Sequence, residues 1–116
     1  MTSGQLSVSW HGQLAVITMP AEVDMSNGGD VQAFLLATLE RNPDVLVVDM
    51  AATTFCDSAG LRAVMISHRQ AGTQGSEFRL VVGSPGVQRV FSIIGASEHV
   101  QIYPDLDSAL AFHDHS

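Results

Sequence analysis

The sequence is poor in cysteine and in basic residues. The first scarcity argues against a disulfide-stabilised protein, and the second against a nucleic-acid-binding one. A single cysteine rules out an internal disulfide framework and is typical of a protein kept in a reducing compartment. Five basic residues stand against twelve acidic ones, which gives a net charge of −7. All the basic residues are scattered arginines: Arg41, Arg62, Arg69, Arg79 and Arg89. Without a basic stripe, direct nucleic-acid binding is disfavoured, and the acidic balance favours protein partners, especially ones with a basic surface.

Long apolar runs are missing as well. No stretch of about 18 uninterrupted apolar residues occurs, so we expect no membrane span. Residues 1–5 show neither a basic start nor an apolar region of the secretory type, so we expect no secretory signal. Of the 116 residues, 46% are hydrophobic and only 15% are charged, which indicates a single folded domain over residues 1–116. Taken together, these features predict a cytoplasmic protein.

Hydrophobic periodicity predicts strands and helices in the order β-β-α-β-α-β-α-β-α. Alternation over residues 6–10 and an apolar run over 14–19 predict a hairpin whose turn is at His11-Gly12. The run Val45–Met50 lacks alternation, which is typical of a parallel strand buried on both faces. The other predicted elements are helices over about 27–42, 58–71 and 84–95, strands over 78–82 and 100–103, and a last helix from 104 that buries Phe112.

This order of elements predicts an α/β domain. We expect a mostly parallel sheet of about four or five strands, an antiparallel N-terminal edge hairpin and about four helices. In such sheets, ligand and partner sites gather at the carboxyl ends of the strands, and the loops 20–27, 51–58 and 83–86 fall at that end. We therefore expect one shared surface, formed by Asp24, Asp57, Ser58 and Ser84.

The stretch Phe55–Leu61 joins the buried strand to a helix, and Ser58 lies where that helix starts. Helical spacing places one apolar face toward the core, made of Leu61, Val64, Met65 and His68. A hydroxyl at the start of a helix can cap it, attack a substrate, or accept a phosphoryl group where the helix amides favour negative charge. The local pattern leaves all three possibilities open.

Three segments together resemble a known family. The segment Asp57–Leu61, DSAGL, follows an apolar strand that contains Asp49 and resembles the signature of STAS domains, most closely that of bacterial anti-sigma factor antagonists. Glu22-Val23-Asp24 matches the family's acidic pair, and Ser84–Phe91 is similar to its S-P-x-V-x-x-x-F segment. The resemblance covers about residues 5–112, the expected core of the domain, with the elements in the same order.

Two positions depart from the family pattern. Ala21 replaces a glycine that is common before the acidic pair. Ala59 replaces the more usual serine or threonine, which leaves Ser58 as the only hydroxyl in the DSAGL motif.

The resemblance implies a protein-interaction switch that is not an enzyme and needs no cofactor of its own. Such antagonists bind an anti-sigma factor that is also a serine kinase, and so free a sigma factor. The kinase, with its own ATP and magnesium, phosphorylates the serine after the motif aspartate, here Ser58, and a phosphatase reverses this. The implied partner-binding residues are Asp24, Asp57, Ser58, Ala59, Gly60, Leu61, Arg62 and Ser84. Some STAS domains are never phosphorylated and serve a transporter ATPase or a sensory complex, and that alternative stays open.

The two carboxylates near Ser58 each have two possible roles. Asp57 either caps the following helix or orients the serine hydroxyl and contacts the kinase. Asp24 either helps form the docking surface or caps the helix that begins near Asn27. Ser84 is expected to cap the next helix, with a proline at its first position. Most methionines are expected in the core, although some suit a contact surface that remodels: Met19, Met25, Met50 and Met65.

Other chemistries are disfavoured. An enzyme with Ser58 as its nucleophile lacks a G-x-S-x-G elbow and a histidine placed by sequence as its base, and His68 is expected to be partly buried. Cys56 invites a redox reading, but nearby carboxylates oppose a thiolate and burial is the expected state. His113-Asp114-His115 belongs to a terminal tail, and we assign no metal site there.

Overall fold

Strands and helices follow one another in the predicted order, with two short strands in addition. A computed structural model describes residues 6–93, 95 and 99–111. The elements are β1 (Ser7–His11), β2 (Leu14–Thr18), β3 (Glu22–Val23), α1 (Gly28–Leu39), β4 (Val45–Met50), β5 (Phe55–Cys56), α2 (Ser58–Gln74), β6 (Glu77–Val82), α3 (Pro85–Ile93), β7 (Gln101–Tyr103) and α4 (Leu106–Ala111).

The main sheet has five strands in the order β1-β2-β4-β6-β7. Strand β1 pairs with β2 in antiparallel fashion, whereas β2-β4, β4-β6 and β6-β7 are parallel pairs. In the described part of the chain, four helices accompany this sheet. The predicted fold class, an α/β domain with an antiparallel hairpin at one edge of a mostly parallel sheet, is confirmed.

Strand β4 lies in the middle of the sheet and is buried on both faces, as its apolar run, interrupted only by Asp49, predicted. Leu46 and Val48 face a large core that also contains residues of α1, α2 and α3. Val45 and Val47 face a smaller cluster, which Ala109 of α4 covers. Because successive side chains of a strand point to opposite faces, a strand covered on both sides needs apolar residues on both faces.

Strand β6 carries a buried arginine under α4. Arg79 is only 3% exposed. Its Nε donates to Glu77 Oε2 at 2.8 Å, and its Nη1 donates to the Ala109 carbonyl at 2.6 Å. A buried guanidinium without partners would be costly, and these two contacts compensate it. A hydrogen bond thus holds α4 on the sheet in addition to apolar contacts.

Two segments predicted to be loops contain a second small sheet. Strands β3 and β5 pair in parallel, with Glu22 opposite Phe55 and Val23 opposite Cys56. Two-residue strands are too short for a periodic pattern, so the alternation of polar and apolar residues did not predict them. This sheet joins the loops 20–27 and 51–58.

The predicted turn and one predicted helix face need correction. His11 is the last residue of β1 and pairs with Leu14, so the turn is Gly12-Gln13, with Gly12 at φ 63°. A two-residue hairpin turn requires such a left-handed residue, which glycine adopts without strain.

Helix α2 is also longer than predicted, and it ends at Gly75, which has φ 83°. Its buried face consists mainly of small residues: Gly60, Ala63, Val64, Ser67 and Ala71. Of the predicted face only Val64 is fully buried, while Leu61, Met65 and His68 are half-buried at its flank. His68 packs edge-on against Phe78, with ring centroids 5.3 Å apart. Small side chains carry little hydropathy signal, so the pattern favoured their larger neighbours.

Phe112, which the sequence predicts to be buried, lies outside the described residues. Among the methionines, Met19 and Met50 are buried and Met65 is half-buried, as expected for core residues. Met25 is 82% exposed.

Candidate functional site

The loops at the carboxyl ends of β2 and β4 are joined along their length by hydrogen bonds. The buried Thr53 hydroxyl donates to the Pro20 carbonyl at 2.8 Å, and the Thr54 amide donates to the Ala21 carbonyl at 2.8 Å. The Asp57 amide then donates to the Val23 carbonyl at 3.1 Å. The two loops therefore form one structural unit, and the start of α2 is part of it.

Asp57 is the N-cap of α2. Its Oδ1 accepts the amides of Ala59 and Gly60, at 2.8 and 3.1 Å. Its Oδ2 accepts the amide of Met25 at 3.2 Å, across the loop 20–27. The capping role proposed from the sequence is confirmed. Within the described residues, no hydrogen bond joins this carboxylate to the Ser58 hydroxyl.

Ser58 is the first residue of α2, and its side chain is exposed. A phosphate at this position could in principle bind the first-turn amides of Ala59 and Gly60. Both of these amides already donate to Asp57 Oδ1. In the unphosphorylated chain these two amides are therefore already hydrogen-bonded, and their role in accepting a phosphate charge stays a prediction.

Gly60 allows α2 to pack tightly on the small sheet. It is buried, and a Cβ at this position would lie 2.7 Å from Val23 Cγ1 and 2.8 Å from Cys56 Sγ. Gly28 makes the equivalent approach from α1, since its Cβ would lie 3.1 Å from the Cβ of Ala59. No side chain fits at Gly60, because backbone and side chains of both short strands fill that space. Ser58 therefore lies at the end of a helix that packs closely on the small sheet.

Asp24 organises its own loop instead of capping α1. Its Oδ1 accepts the amide of Ser26 at 2.9 Å and the hydroxyl of Ser26 at 2.5 Å. The hydrogen bond from the Ser26 hydroxyl, with help from the two backbone amides, lowers the pKa of the Asp24 carboxyl below its ordinary value. The N-cap of α1 is Asn27, which makes no side-chain capping bond, so the capping role considered for Asp24 is wrong. The Asp24 carbonyl does accept the amide of Gly28.

Ser84 lies at the same edge of the sheet, at the end of β6. Its carbonyl accepts the Gln88 amide at 2.9 Å, and Pro85 is the first residue of α3, as predicted. The side chain of Ser84 makes no capping hydrogen bond among the described residues. The preceding Gly83 packs against the 51–58 loop, where a Cβ would lie 2.9 Å from the Ala51 carbonyl. The three loops thus meet as predicted, although only Asp24, Asp57 and Ser58 belong to one connected hydrogen-bonded segment.

Two exposed apolar side chains lie in the loops that meet at the start of α2, and sequence reasoning assigned only one of them a possible contact role. Met25 is 82% exposed and Phe55 is 50% exposed. Beside Phe55, a hollow of about 260 Å³ lies between the 51–58 loop and α3, lined by Thr54, Phe55, Cys56, Gly86, Val87 and Val90. The sequence did contain a signal that could have identified Phe55 as a contact residue. It is a large apolar residue in a loop at the carboxyl end of the strands, and no predicted strand or helix needs it there. These side chains provide apolar area for a protein contact.

Cys56 has a buried setting, while His113, Asp114 and His115 lie outside the described residues. Cys56 is 5% exposed, and burial, together with the nearby charge of Asp57, raises the pKa of its thiol to about 11. Such a thiol stays protonated and unreactive near neutral pH. In the described part of the chain, no group of histidine, cysteine and acidic side chains could hold a metal ion. No helix there is both long and apolar enough to cross a bilayer.

Fold and site define a small α/β domain that presents one exposed serine at the start of a capped helix. A family model of the STAS domain matches residues 5–109, and the chain belongs to that family.

Two mycobacterial proteins are similar over nearly the whole chain. The anti-sigma-F factor antagonist RsfB of Mycobacterium tuberculosis is 24% identical over 105 residues, which are 90% of this chain and 85% of that protein. The crystal structure of an anti-sigma factor antagonist from Mycobacterium paratuberculosis superposes with a TM-score of 0.85 and is 26% identical, covering 92% of this chain and 91% of the other.

A sulfate transporter family protein from Wolinella succinogenes has the same fold. Its TM-score is 0.76 at 16% identity, covering 86% of this chain and 84% of the other. At this level of identity the similarity concerns the fold alone.

Proposed function

We propose that the protein is an anti-sigma factor antagonist that works as a phosphorylation-controlled switch. When unphosphorylated, it binds an anti-sigma factor that is also a serine kinase, and the bound sigma factor is released. The kinase, with its own ATP and magnesium, then phosphorylates Ser58, the complex dissociates, and a phosphatase restores the starting state. The protein itself performs no catalysis, and these partners place it in the cytoplasm.

One observation carries this proposal: Ser58 is exposed at the start of α2, which packs closely on the small sheet, and the loops that meet there carry exposed apolar side chains. A kinase can reach such a hydroxyl without unfolding anything. Met25 and Phe55 supply apolar area that a partner would bury together with the serine. Both mycobacterial relatives are anti-sigma factor antagonists by name, which agrees with this role.

Electrostatics explains why phosphorylation would end the complex. A phosphoserine adds about −1.5 to −2 units of charge near pH 7. Asp57 already accepts the helix amides, so that charge is added next to another acidic residue, on the surface that the partner would cover. Like-charge contact in an interface costs on the order of several kcal/mol. Since each ~1.4 kcal/mol changes affinity about tenfold, this is enough to abolish binding without refolding the domain.

Phosphate transfer tests the proposal directly. The purified protein is mixed with ATP, magnesium and each histidine-kinase-like anti-sigma factor of its host, and the intact mass is measured. We expect one phosphate on the wild type and on the Ser92→Ala control, whose serine is exposed on α3, and none on Ser58→Ala. Ser58→Glu should bind the anti-sigma factor at least about tenfold more weakly than Ser92→Glu. Equal binding of the two glutamate variants would refute the switch.

The Wolinella protein, which belongs to a sulfate transporter family, shares this fold and so supports one alternative function. In that alternative the protein is never phosphorylated and serves as an interaction module of a transporter ATPase or a sensory complex. The same purified protein, immobilised and exposed to host lysate, separates the two. Recovery of a transporter ATPase with no kinase, together with no phosphate transfer, would favour the module. Recovery of an anti-sigma factor would favour the switch.

A further inference from the structure

A second stripe of residues runs along the side of α2 turned away from its fully buried face, and one member, Met65, also packs against the core. Arg62, Met65, Ile66 and Arg69, here named the α2 strip, follow the i, i+3, i+4, i+7 spacing that places side chains on one helical face. The two apolar members are half-buried and the two arginines are exposed. Together they line a hollow of about 350 Å³. The strip is therefore apolar at its centre and positively charged at both ends.

Within the part of the chain that the structure describes, the arginines of the α2 strip form no side-chain hydrogen bond or salt bridge. Arg79 is buried and pairs with Glu77, and the guanidinium of Arg41 lies 5.1 Å from the ring centre of Trp10. Two unpaired positive charges on one stripe are unusual in a chain of net charge −7. The local charge of this face is thus opposite to that of the whole protein.

The α2 strip continues directly from the candidate site. Ser58 lies four residues before Arg62, so both occupy the same side of the helix. Helical side chains lean toward the N-terminus, which directs the long Arg62 side chain over the turn that contains Ser58. A protein segment that covers the serine would also meet the strip.

We propose that the α2 strip docks an acidic amphipathic segment of the partner protein, with apolar residues set between its carboxylates. Charge complementarity and the apolar centre select this occupant over a basic one, contrary to what net charge alone favours. The link to the anti-sigma factor rests on the proposed function. A phosphate on Ser58 would then repel the carboxylates docked there and also attract Arg62 away from them.

A designed peptide tests the docking surface without the natural partner. The probe is a helical peptide with two leucines between two glutamates at the same spacing, titrated into ¹⁵N-labelled protein, and a matched peptide has glutamine in place of glutamate. We expect amide shifts confined to α2 around residues 58–69, weakened by salt and absent with the glutamine peptide. Arg62→Gln combined with Arg69→Gln should weaken binding about threefold to thirtyfold.

The matched control is the double variant Arg41→Gln with Arg89→Gln, which removes two exposed arginines elsewhere and should bind as the wild type does. The proposal is overturned if the peptide shifts other surfaces or none, or if the strip variant binds as well as the control. The same pair of variants, each with Ser58→Ala, is then measured against the anti-sigma factor. If the wild type accepts phosphate and the control variant binds, but the strip variant binds equally well, this proposal fails alone. If no kinase acts on Ser58, the proposed function fails and the peptide result still decides the docking surface.

Discussion

Asp57 and Met25, 32 positions apart, are joined by a hydrogen bond in which the Met25 amide donates to Asp57 Oδ2 at 3.2 Å. The other carboxylate oxygen of Asp57 holds the first turn of α2. One side chain therefore determines both where the helix bearing Ser58 begins and where the exposed Met25 stands relative to it. The predictions below test this arrangement and the packing beneath it.

Replacing Asp57 by alanine should destabilise the protein by about 1–2 kcal/mol, because an N-cap and its hydrogen bonds are lost. Asp57→Asn keeps an acceptor oxygen and should lose less. Urea unfolding measures the free energy, and hydrogen exchange of the Met25 amide reports the second contact. The control is Asp30→Ala, an exposed acid in the first turn of α1, which should cost only about 0.3–1 kcal/mol through the helix dipole. An unchanged exchange rate at Met25 in Asp57→Ala would contradict the structural link.

Two glycines of α2 should respond to alanine with opposite signs. In Gly60→Ala the new Cβ meets Val23 and Cys56 within 2.8 Å, and we expect a loss of about 1–3 kcal/mol from overpacking. In Gly72→Ala the Cβ enters open space within the helix, and alanine should stabilise it by about 0.5–1 kcal/mol. Urea unfolding of both variants checks this. If both changes have the same sign, the tight approach at Gly60 is wrong.

The Cys56 thiol should make stability fall at high pH. Its pKa is raised from 9.0 to about 11, chiefly by burial. Below pH 9.0 the thiol is protonated in folded and unfolded chains alike, and its contribution to stability is fully present. Between pH 9.0 and about 11 only the unfolded chain loses the proton, so this contribution is lost as pH rises.

Urea unfolding across this pH range, for wild type and Cys56→Ala, isolates the effect. The difference in unfolding free energy between the two proteins should shrink as pH rises. Parallel curves would show that the thiol titrates normally and is not buried in the folded chain.

The Ser26 hydroxyl should control the titration of Asp24. Its hydrogen bond is the main cause of the lowered pKa of the Asp24 carboxyl. Ser26→Ala should therefore move that pKa up toward the ordinary value of 3.8, as measured by carboxyl NMR titration. A lowered pKa stabilises the folded state above the ordinary value, and this is lost as pH falls through the folded-state pKa. Ser92→Ala should leave Asp24 unchanged, and an equal shift in both variants would refute the contact.

Local signals accounted for most of the fold. The run Val45–Met50 was correctly assigned as a strand buried on both faces, because four consecutive apolar residues, Val45–Val48, leave neither face polar. Asp57 was correctly considered as a cap, since an aspartate directly before a helix is a strong local signal. The predicted face of α2 was incomplete: Leu61, Val64 and Met65 do pack on the core, but the small residues beside them carry little hydropathy and were missed.

Long-range contacts account for what the sequence did not predict. Strands β3 and β5 are two residues each, and their pairing depends on loops that are about thirty residues apart. The α2 strip was not recognised because half-buried Met65 was assigned to the core and Arg62 and Arg69 were counted only as scattered charge.

By itself, the sequence determined the order of the elements, the buried central strand and the position of Ser58 at a helix start, since periodicity and capping act over a few neighbouring residues. Only the tertiary structure decided that the Asp57 carboxylate occupies the first-turn amides, that it also holds Met25, and that Met25 and Phe55 stay exposed in the loops that meet at the start of α2. Those outcomes depend on the pairing of β3 with β5, which brings two loops together. The free energy of that pairing comes from packing between segments that are distant in the sequence.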